Sequence, residues 1–417
     1  MSKLRITGGF PLQGTVNISG AKNAAVAMLP AALLTEAPVT IENLPNIHDV
    51  HVLVEILKYL NVGVNWESPS KLRIDGSTLQ ERRVPYELVK KLRASYYLMG
   101  TLLGRFGRVE IPVPGGCDLG PRPIDQHLKG MAALGADIEV RHGIIKMKAG
   151  KLRGANIYLD VISVGATINI MLAATRACGK TVIENAAKEP EIVDVANFLN
   201  AMGARIRGAG TDVIRITGVK ELGPASHFVI PDRIEAGTYM VAAAATGGDV
   251  TVKDIIPKHL DPITAKLREM EISIDVMDDK LRVLGNPFPR AVDIKTFPYP
   301  GFPTDMQSLA MVLLTQAEGT SIITENVFEG RFKHVDELKR MGARIKVEGR
   351  TAVVNGRNQL SGAPVKATDL RAGAAFIVAG LIADGETVVS DIGHVYRGYE
   401  RICEKLSALG ARIEEED

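Results

Sequence analysis

Cysteine is scarce in this chain: there are three in 417 residues, Cys117, Cys178 and Cys403. Three cannot build a disulfide framework, so stability has to come from packed cores, and a reducing compartment is expected. Aromatics are also few, at 5% with a single Trp. No basic stripe interleaved with aromatics is present, which excludes a nucleic-acid surface of that kind. Neither sign of charge is in excess. Lys+Arg is 50, Asp+Glu is 48 and the formal net charge is +2, which argues against both a polyanion-coating protein and an acidic disordered chain. Long apolar runs are missing as well. An uncharged stretch such as 162–175 falls short of the ~18 residues a membrane span needs, and the opening MSKLRITGGFPLQG lacks the apolar segment of a signal peptide. The expectation is a soluble cytoplasmic protein with no membrane partner.

Glycine is plentiful, at 41 residues, and implies many tight turns and close backbone approaches. The length suggests two or three domains. The strongest structural signal is an internal repeat. A helix end followed by Leu or Met and an alternating strand recurs about every 70 residues, anchored at Leu60, Leu134, Met202, Met270, Met341 and Leu409. A second pattern, Gly running into a β-branched strand, recurs with the same period at Ile41, Ile111, Ile183, Val252, Ile323 and Val389. Two anchors with one period point to six repeats. Each reads as strand, apolar helix, strand, amphipathic helix, strand, strand.

The first helices, over 24–34, 164–176, 235–245, 305–316 and 372–383, are nearly apolar all round and belong inside a core. The second helices, over 50–59, 192–202, 334–341 and 399–409, carry one charged face and should lie outside. Enclosed helices predict a two-domain inside-out α/β barrel, three repeats per domain; a solenoid is the bland alternative. The segment 223–230 is the expected crossover, and the first strand region completes the second domain. The domains are then 22–229, and 1–21 with 230–417.

The residues that open the first helices carry most of the chemistry: Lys22-Asn23, Arg93, Ser163-Val164-Gly165, Asp232-Arg233, Thr304-Asp305 and Asp369-Leu370-Arg371. Equivalent helix N-termini should share one end of each domain, and their unpaired N–H groups favour anions. Asp232, Asp305 and Asp369 could equally be plain N-caps, and Lys22 and Arg93 plain solvated charges. The segment 112–127, PVPGGCDLGPRPIDQH, breaks the repeat and reads as a functional loop. Within it Cys117 is a candidate reactive thiol near basic groups. Cys178 and Cys403 fall on helix segments among apolar neighbours and read as inert core residues. GKT at 179–181 lacks the upstream Gly of a phosphate loop, and His48 and His51 have no partners at zinc spacing, so no metal site is expected.

Taken in order along the chain, SGAKNAA, PGGC, RPIDQH, SVGAT, EPEIVD, PDRIE, FPTD, EGR, TDLR and YRGYE resemble the UDP-N-acetylglucosamine 1-carboxyvinyltransferases. The likeness implies two three-repeat domains with the site in the cleft between them. It also implies enolpyruvyl transfer from phosphoenolpyruvate to the 3-hydroxyl of UDP-N-acetylglucosamine, the committed step of peptidoglycan synthesis. The sister enzyme, 3-phosphoshikimate 1-carboxyvinyltransferase, and a non-catalytic nucleotide-sugar binder are the alternatives.

By the same likeness Cys117 is the proton donor and the residue open to covalent modification, and Asp305 is the base. Lys22, Asn23, Arg122, Arg331, Arg371 and Arg397 surround phosphoenolpyruvate, with Lys22 and Arg397 directly catalytic. Asn23, Arg93, Arg122, Pro123, Ile124, Asp125, Gln126, Ser163, Val164, Gly165, Asp305 and Val327 face the nucleotide sugar. No cofactor is implied, and a monomer is expected. One departure stands out: where some members carry a basic residue before SVG, this chain reads Asp160-Val161-Ile162.

Overall fold

The computed structural model describes residues 2–113, 124–286 and 288–416. They form two compact units, one from 2–19 with 231–416 and the other from the described residues of 20–230.

Each unit is built on helices that have almost no polar face. In the unit of residues 20–230 these are Lys22–Ala31, Tyr97–Phe106 and Val164–Ala174. In the other they are Arg233–Ala245, Gln307–Gln316 and Leu370–Ile382. Every residue of Leu370–Ile382 is buried, as is every residue from Ile234 to Ala245. Such helices are stable only when covered on all sides; each large aliphatic side chain so enclosed contributes about 1.5–3 kcal/mol. Amphipathic helices such as His48–Tyr59, Pro190–Ala201 and Asp261–Glu269 lay one apolar face on the same cores. Pro30 removes a donor near the end of its helix, and the chain tightens into the 3-10 turn Ala32–Leu34.

The strands gather into six sheets among the described residues. Five have four strands and one strand order. In the sheet of Lys180–Glu184, that strand pairs parallel with Asn156–Tyr158 and antiparallel with Val213–Thr217, which pairs with Arg205–Arg207. The parallel pair flanks an enclosed helix, since parallel neighbours need a crossover. Buried and exposed positions alternate along the strands, so one sheet face meets the core. The segment expected as a crossover contains a strand, Ala225–Phe228, paired parallel with Val39–Glu42 in the unit of residues 20–230. Lys3–Thr7 and Gln13–Asn17 pair within the other unit.

Two local devices recur. Asn43 and Asn185, each just past a central strand, have φ of 55°. Asn tolerates that left-handed backbone, and each side-chain amide donates to a neighbouring carbonyl, Val229 O and Leu159 O. Elsewhere a glycine ends the strand that lies over an enclosed helix. A Cβ on Gly218 would lie 1.6 Å from Ala177 O, and one on Gly356 would lie 1.9 Å from Ala317 O. Only glycine lets strand and helix end approach so closely.

Two expectations are corrected. Cys178 is not in the core: the helix ends at Ala174, Cys178 falls on a bridge to Arg153, and it is exposed. The segment 112–127 is not all loop, because Asp125–Ala133 is helical; Asp125 in the first turn suits the positive helix end. Cys403 is half-buried against the core, as expected of an inert thiol. No helix of the described residues is long and apolar enough to cross a membrane.

The close approach at Gly218 has a measurable consequence. Gly218→Ala should lower unfolding stability by about 1–3 kcal/mol, as overpacking does. Gly150→Ala, where a Cβ meets nothing within 4 Å, should be near neutral. Urea midpoints of the two variants test this; equal midpoints would contradict the steric account.

Candidate active site

Lys22 is the first residue of its helix, where a cation is disfavoured by the helix dipole. It is held there by a 2.9 Å ion pair with Asp49, whose side chain is 1% exposed. Asn23 follows, half-buried. Arg93 opens the 3-10 turn Arg93–Tyr96 that leads into Tyr97–Phe106. Ser163 caps the third enclosed helix of this unit, its hydroxyl accepting from Ala166 N at 3.2 Å. Val164 and Gly165 form the first turn.

A Cβ on Gly165 would lie 2.8 Å from Tyr96 OH and 3.0 Å from His127 Nε2. Gly165 is therefore what lets Tyr96 and His127 crowd onto the start of that helix. His127 is buried, and burial together with the Arg93 charge lowers its pKa to about 3, against the opposing pull of Asp125. Asn169 fixes its tautomer. Asn169 Oδ1 accepts from Gly100 N at 2.7 Å, so its amide nitrogen is the group 3.0 Å from His127 Nδ1. Nδ1 must accept, and the ring proton sits on Nε2.

Ile124 precedes the helix of Asp125 and Gln126. The buried Gln126 amide is engaged at both ends. Its nitrogen lies 3.1 Å from Asp160 Oδ2 and its oxygen accepts from Asp160 N at 3.0 Å. Asp160 is also paired with Lys129. The side chains of Val161 and Ile162 are exposed.

In the unit that holds 231–416, the acids that open the enclosed helices divide by role. Asp232 caps Ile234 and Glu235, and Asp369 caps Arg371 and Ala372. Asp305 instead faces two guanidinium groups. Its Oδ1 accepts from Arg331 at 2.8 Å, and its Oδ2 from Arg371 Nε and a terminal nitrogen at 3.2 and 3.1 Å. Both guanidinium groups are about 5% exposed, whereas Asp305 keeps 27% of its side-chain surface. Arg371 also lies over the Tyr399 ring, 5.3 Å from its centre. Two cations hold one accessible carboxylate in a fixed orientation. Val327 lies in the turn before Arg331, and Arg397 ends the 3-10 turn Ile392–Arg397, half-buried.

Cys117, Arg122 and Pro123 lie outside the described residues. Among the described residues no group of three His, Cys, Asp or Glu could hold a metal ion. Sequence reasoning named His127 only as part of a motif and missed the Asn169 contact, which joins residues 42 apart. It also missed Glu325. Glu325 stands two residues past its strand anchor Ile323, where the matching repeats carry Asn43 and Asn185, so repeat position did not mark an acid there.

The family model for EPSP synthase (3-phosphoshikimate 1-carboxyvinyltransferase) matches residues 6–406. UDP-N-acetylglucosamine 1-carboxyvinyltransferase 2 of Geobacillus kaustophilus is 56% identical over 413 residues, 99% of this chain and 96% of the relative. UDP-N-acetylglucosamine 1-carboxyvinyltransferase 3 of Caldanaerobacter subterraneus is 58% identical, covering 99% of both. Among solved structures, the enolpyruvyl transferase NikO from Streptomyces tendae has a TM-score of 0.91 at 28% identity, covering 100% of this chain and 99% of its own. EPSP synthase from Acinetobacter baumannii has a TM-score of 0.77 at 18% identity and full coverage of both chains, a likeness of fold alone.

The buried imidazoles set a pH dependence. His127 is lowered to about 3 and His334, buried beside Asp369 and Arg331, to about 4. Both folded values lie below the unfolded ~6.5. The stability tied to keeping them neutral is present above that pH and is lost as pH falls toward 4. Each group should contribute a slope of up to ~1.4 kcal/mol per pH unit. Urea unfolding of wild type and His127→Gln at pH 7, 5.5 and 4.5 checks this. The variant should show the shallower slope, and identical slopes would contradict the buried neutral ring.

Proposed function

The chain belongs to the EPSP synthase family, and from that premise we propose that it transfers enolpyruvyl from phosphoenolpyruvate to the 3-hydroxyl of UDP-N-acetylglucosamine. Phosphate is released, and the product is committed to peptidoglycan synthesis. The observation that carries this reading is the 56–58% identity, over 99% of the chain, to relatives that bear that activity as their name. The six sheets with their enclosed helices support an inside-out α/β barrel of six repeats, three in 22–229 and three in 1–21 with 230–417. The reading takes the protein as a cytoplasmic monomer that needs no cofactor.

The chemistry is addition, then elimination. The sugar hydroxyl forms a bond to C2 of phosphoenolpyruvate, its proton passes to a base, and C3 receives a proton from an acid. The tetrahedral ketal then loses C3–H and the C2–O bond to phosphate, which restores the double bond. Asp305 is the base in this reading. It is the accessible carboxylate of its cluster, and the two guanidinium groups hold it in one orientation; positioned acid–base catalysis is worth ~10²–10⁴-fold.

Lys22, Asn23, Arg122, Arg331, Arg371 and Arg397 supply positive charge and donors to the carboxylate and phosphate, for which guanidinium forks are suited. Arg93, Arg122, Pro123, Ile124, Asp125, Gln126, Ser163, Val164, Gly165 and Val327, with Asn23 and Asp305, receive the nucleotide sugar. Because Gln126 is held by Asp160 and the side chains of 161–162 point to solvent, the reading there is of backbone contacts. Cys117 delivers the C3 proton and is the thiol open to a pyruvate adduct or an epoxide.

Phosphate release tests the reading directly. It should require both phosphoenolpyruvate and UDP-N-acetylglucosamine, and shikimate 3-phosphate should not replace the sugar. Release with shikimate 3-phosphate instead would assign the sister reaction. Lys22→Ala and Arg397→Ala should lose ~2–4 kcal/mol of transition-state stabilisation with phosphoenolpyruvate.

The thiol has its own test. Cys117→Asp should stay active with an optimum at lower pH, because a carboxyl group (~3.9) must be protonated to donate while a thiol (~8.5) already is at neutrality. Cys117→Ala should be far weaker. An inactive Asp variant beside an active Ala variant would remove the proton-donor role.

A further inference from the structure

Glu325 follows the strand Thr320–Thr324 and is 1% exposed. A carboxylate so enclosed is destabilising unless its lone pairs are filled. Here four donors fill them. Thr296 Oγ1 (2.8 Å), Val327 N (2.8 Å) and Phe328 N (3.0 Å) all donate to Oε1. Thr304 Oγ1 donates to Oε2 at 2.9 Å.

The direction of the Thr304 bond is fixed by what lies beyond it. Arg331 places one terminal nitrogen 2.8 Å from Thr304 Oγ1 and the other 2.8 Å from Asp305 Oδ1. A guanidinium only donates, so the Thr304 oxygen accepts from Arg331, and its single proton is left for Glu325. The chain therefore runs one way, from Arg331 to Thr304 to Glu325, while Arg331 also holds Asp305. The same Glu325 carboxylate gathers the amides of Val327 and Phe328.

We infer that Glu325 is a positioning residue for the transfer: through Thr304 it fixes the Arg331 guanidinium, and so the orientation of the Asp305 carboxylate that takes the hydroxyl proton. This rests on the role given to Asp305 above. Hydrogen bonds in such a chain polarise one another, so an ionised end strengthens the next link. It also explains why a threonine stands before Asp305, since a residue without a hydroxyl would leave Glu325 Oε2 and one Arg331 nitrogen without their partner.

Glu325→Gln probes the link without dismantling the turn. Three donors converge on Oε1, so the amide oxygen must take that place. The amide nitrogen then faces Thr304 and donates where the carboxylate accepted. The Thr304 proton loses its acceptor, the oxygen is shared between two donors, and its bond to Arg331 loosens. The amides of Val327 and Phe328 keep their acceptor.

The experiment measures kcat and the KM for UDP-N-acetylglucosamine in Glu325→Gln, Thr304→Val, Thr304→Ser, the Glu325→Gln/Thr304→Val pair and Asp305→Asn, each checked for a native melting transition. Glu325→Gln and Thr304→Val should each lower kcat at least about tenfold, since small misplacement of a reacting group costs up to ~10²-fold. KM should change less than about threefold. Thr304→Ser, which keeps the hydroxyl, should retain most of kcat. The double variant should lose little more than either single one, because both break the same chain.

An unchanged kcat in Glu325→Gln, additive losses in the double variant, or a rise in KM at constant kcat would overturn the inference, the last by showing that Glu325 only builds the 325–328 turn. Asp305→Asn separates the two levels. If it keeps turnover, the reading of the site fails; if it is inactive while Glu325→Gln is normal, only the role of Glu325 fails.

Discussion

An enclosed helix with no polar face can meet solvent only at its ends. That constraint shapes both units of this protein. Leu370–Ile382 and Arg233–Ala245 are buried along their length, and their charged residues, Arg371, Arg233 and Glu235, all stand in the first turn. Glu235, 2% exposed, is satisfied there by Lys405 at 2.6 Å and the Ser19 amide at 2.8 Å. The helix starts are where backbone donors are unpaired and charge is stabilised, and most of the candidate chemistry stands there.

The charges at those starts are not interchangeable. Asp232 and Asp369 turn inward to cap amides, whereas Asp305 turns to two guanidinium groups and stays partly accessible. Lys22 meets a buried acid, and Ser163 serves its own helix. Caps and ion pairs remove the orphan groups that would otherwise be costly, and leave a few side chains whose orientation is fixed yet whose surface is open. Such preorganisation lets electrostatic stabilisation act without rearrangement at the moment of reaction.

Much of this was legible in the sequence because it depends on local pattern. The all-apolar composition of 164–176 and 372–383 marks enclosed helices, which the structure places at Val164–Ala174 and Leu370–Ile382. Asp before such a helix marks a possible cap, but local pattern alone could not tell Asp305 from Asp232. The difference lies in Arg331 and Arg371, 26 and 66 residues away. Asn169 inside an apolar helix reads as an anomaly until Gly100, Tyr96 and His127 are seen around its amide. Cys178 was misread because its apolar neighbours belong to the helix before it, while its own side chain points out of a bridge.

In the proposed reaction the reactants meet the protein at the starts of the enclosed helices. Hydrogen exchange read by mass spectrometry on Asp305→Asn, loaded with both phosphoenolpyruvate and UDP-N-acetylglucosamine, measures this directly. Amide protection should rise at 22–25, 163–167, 304–308 and 370–373, with little change along the strands that cover the helices. Protection confined to the covering strands, with those helix starts unchanged, would contradict it.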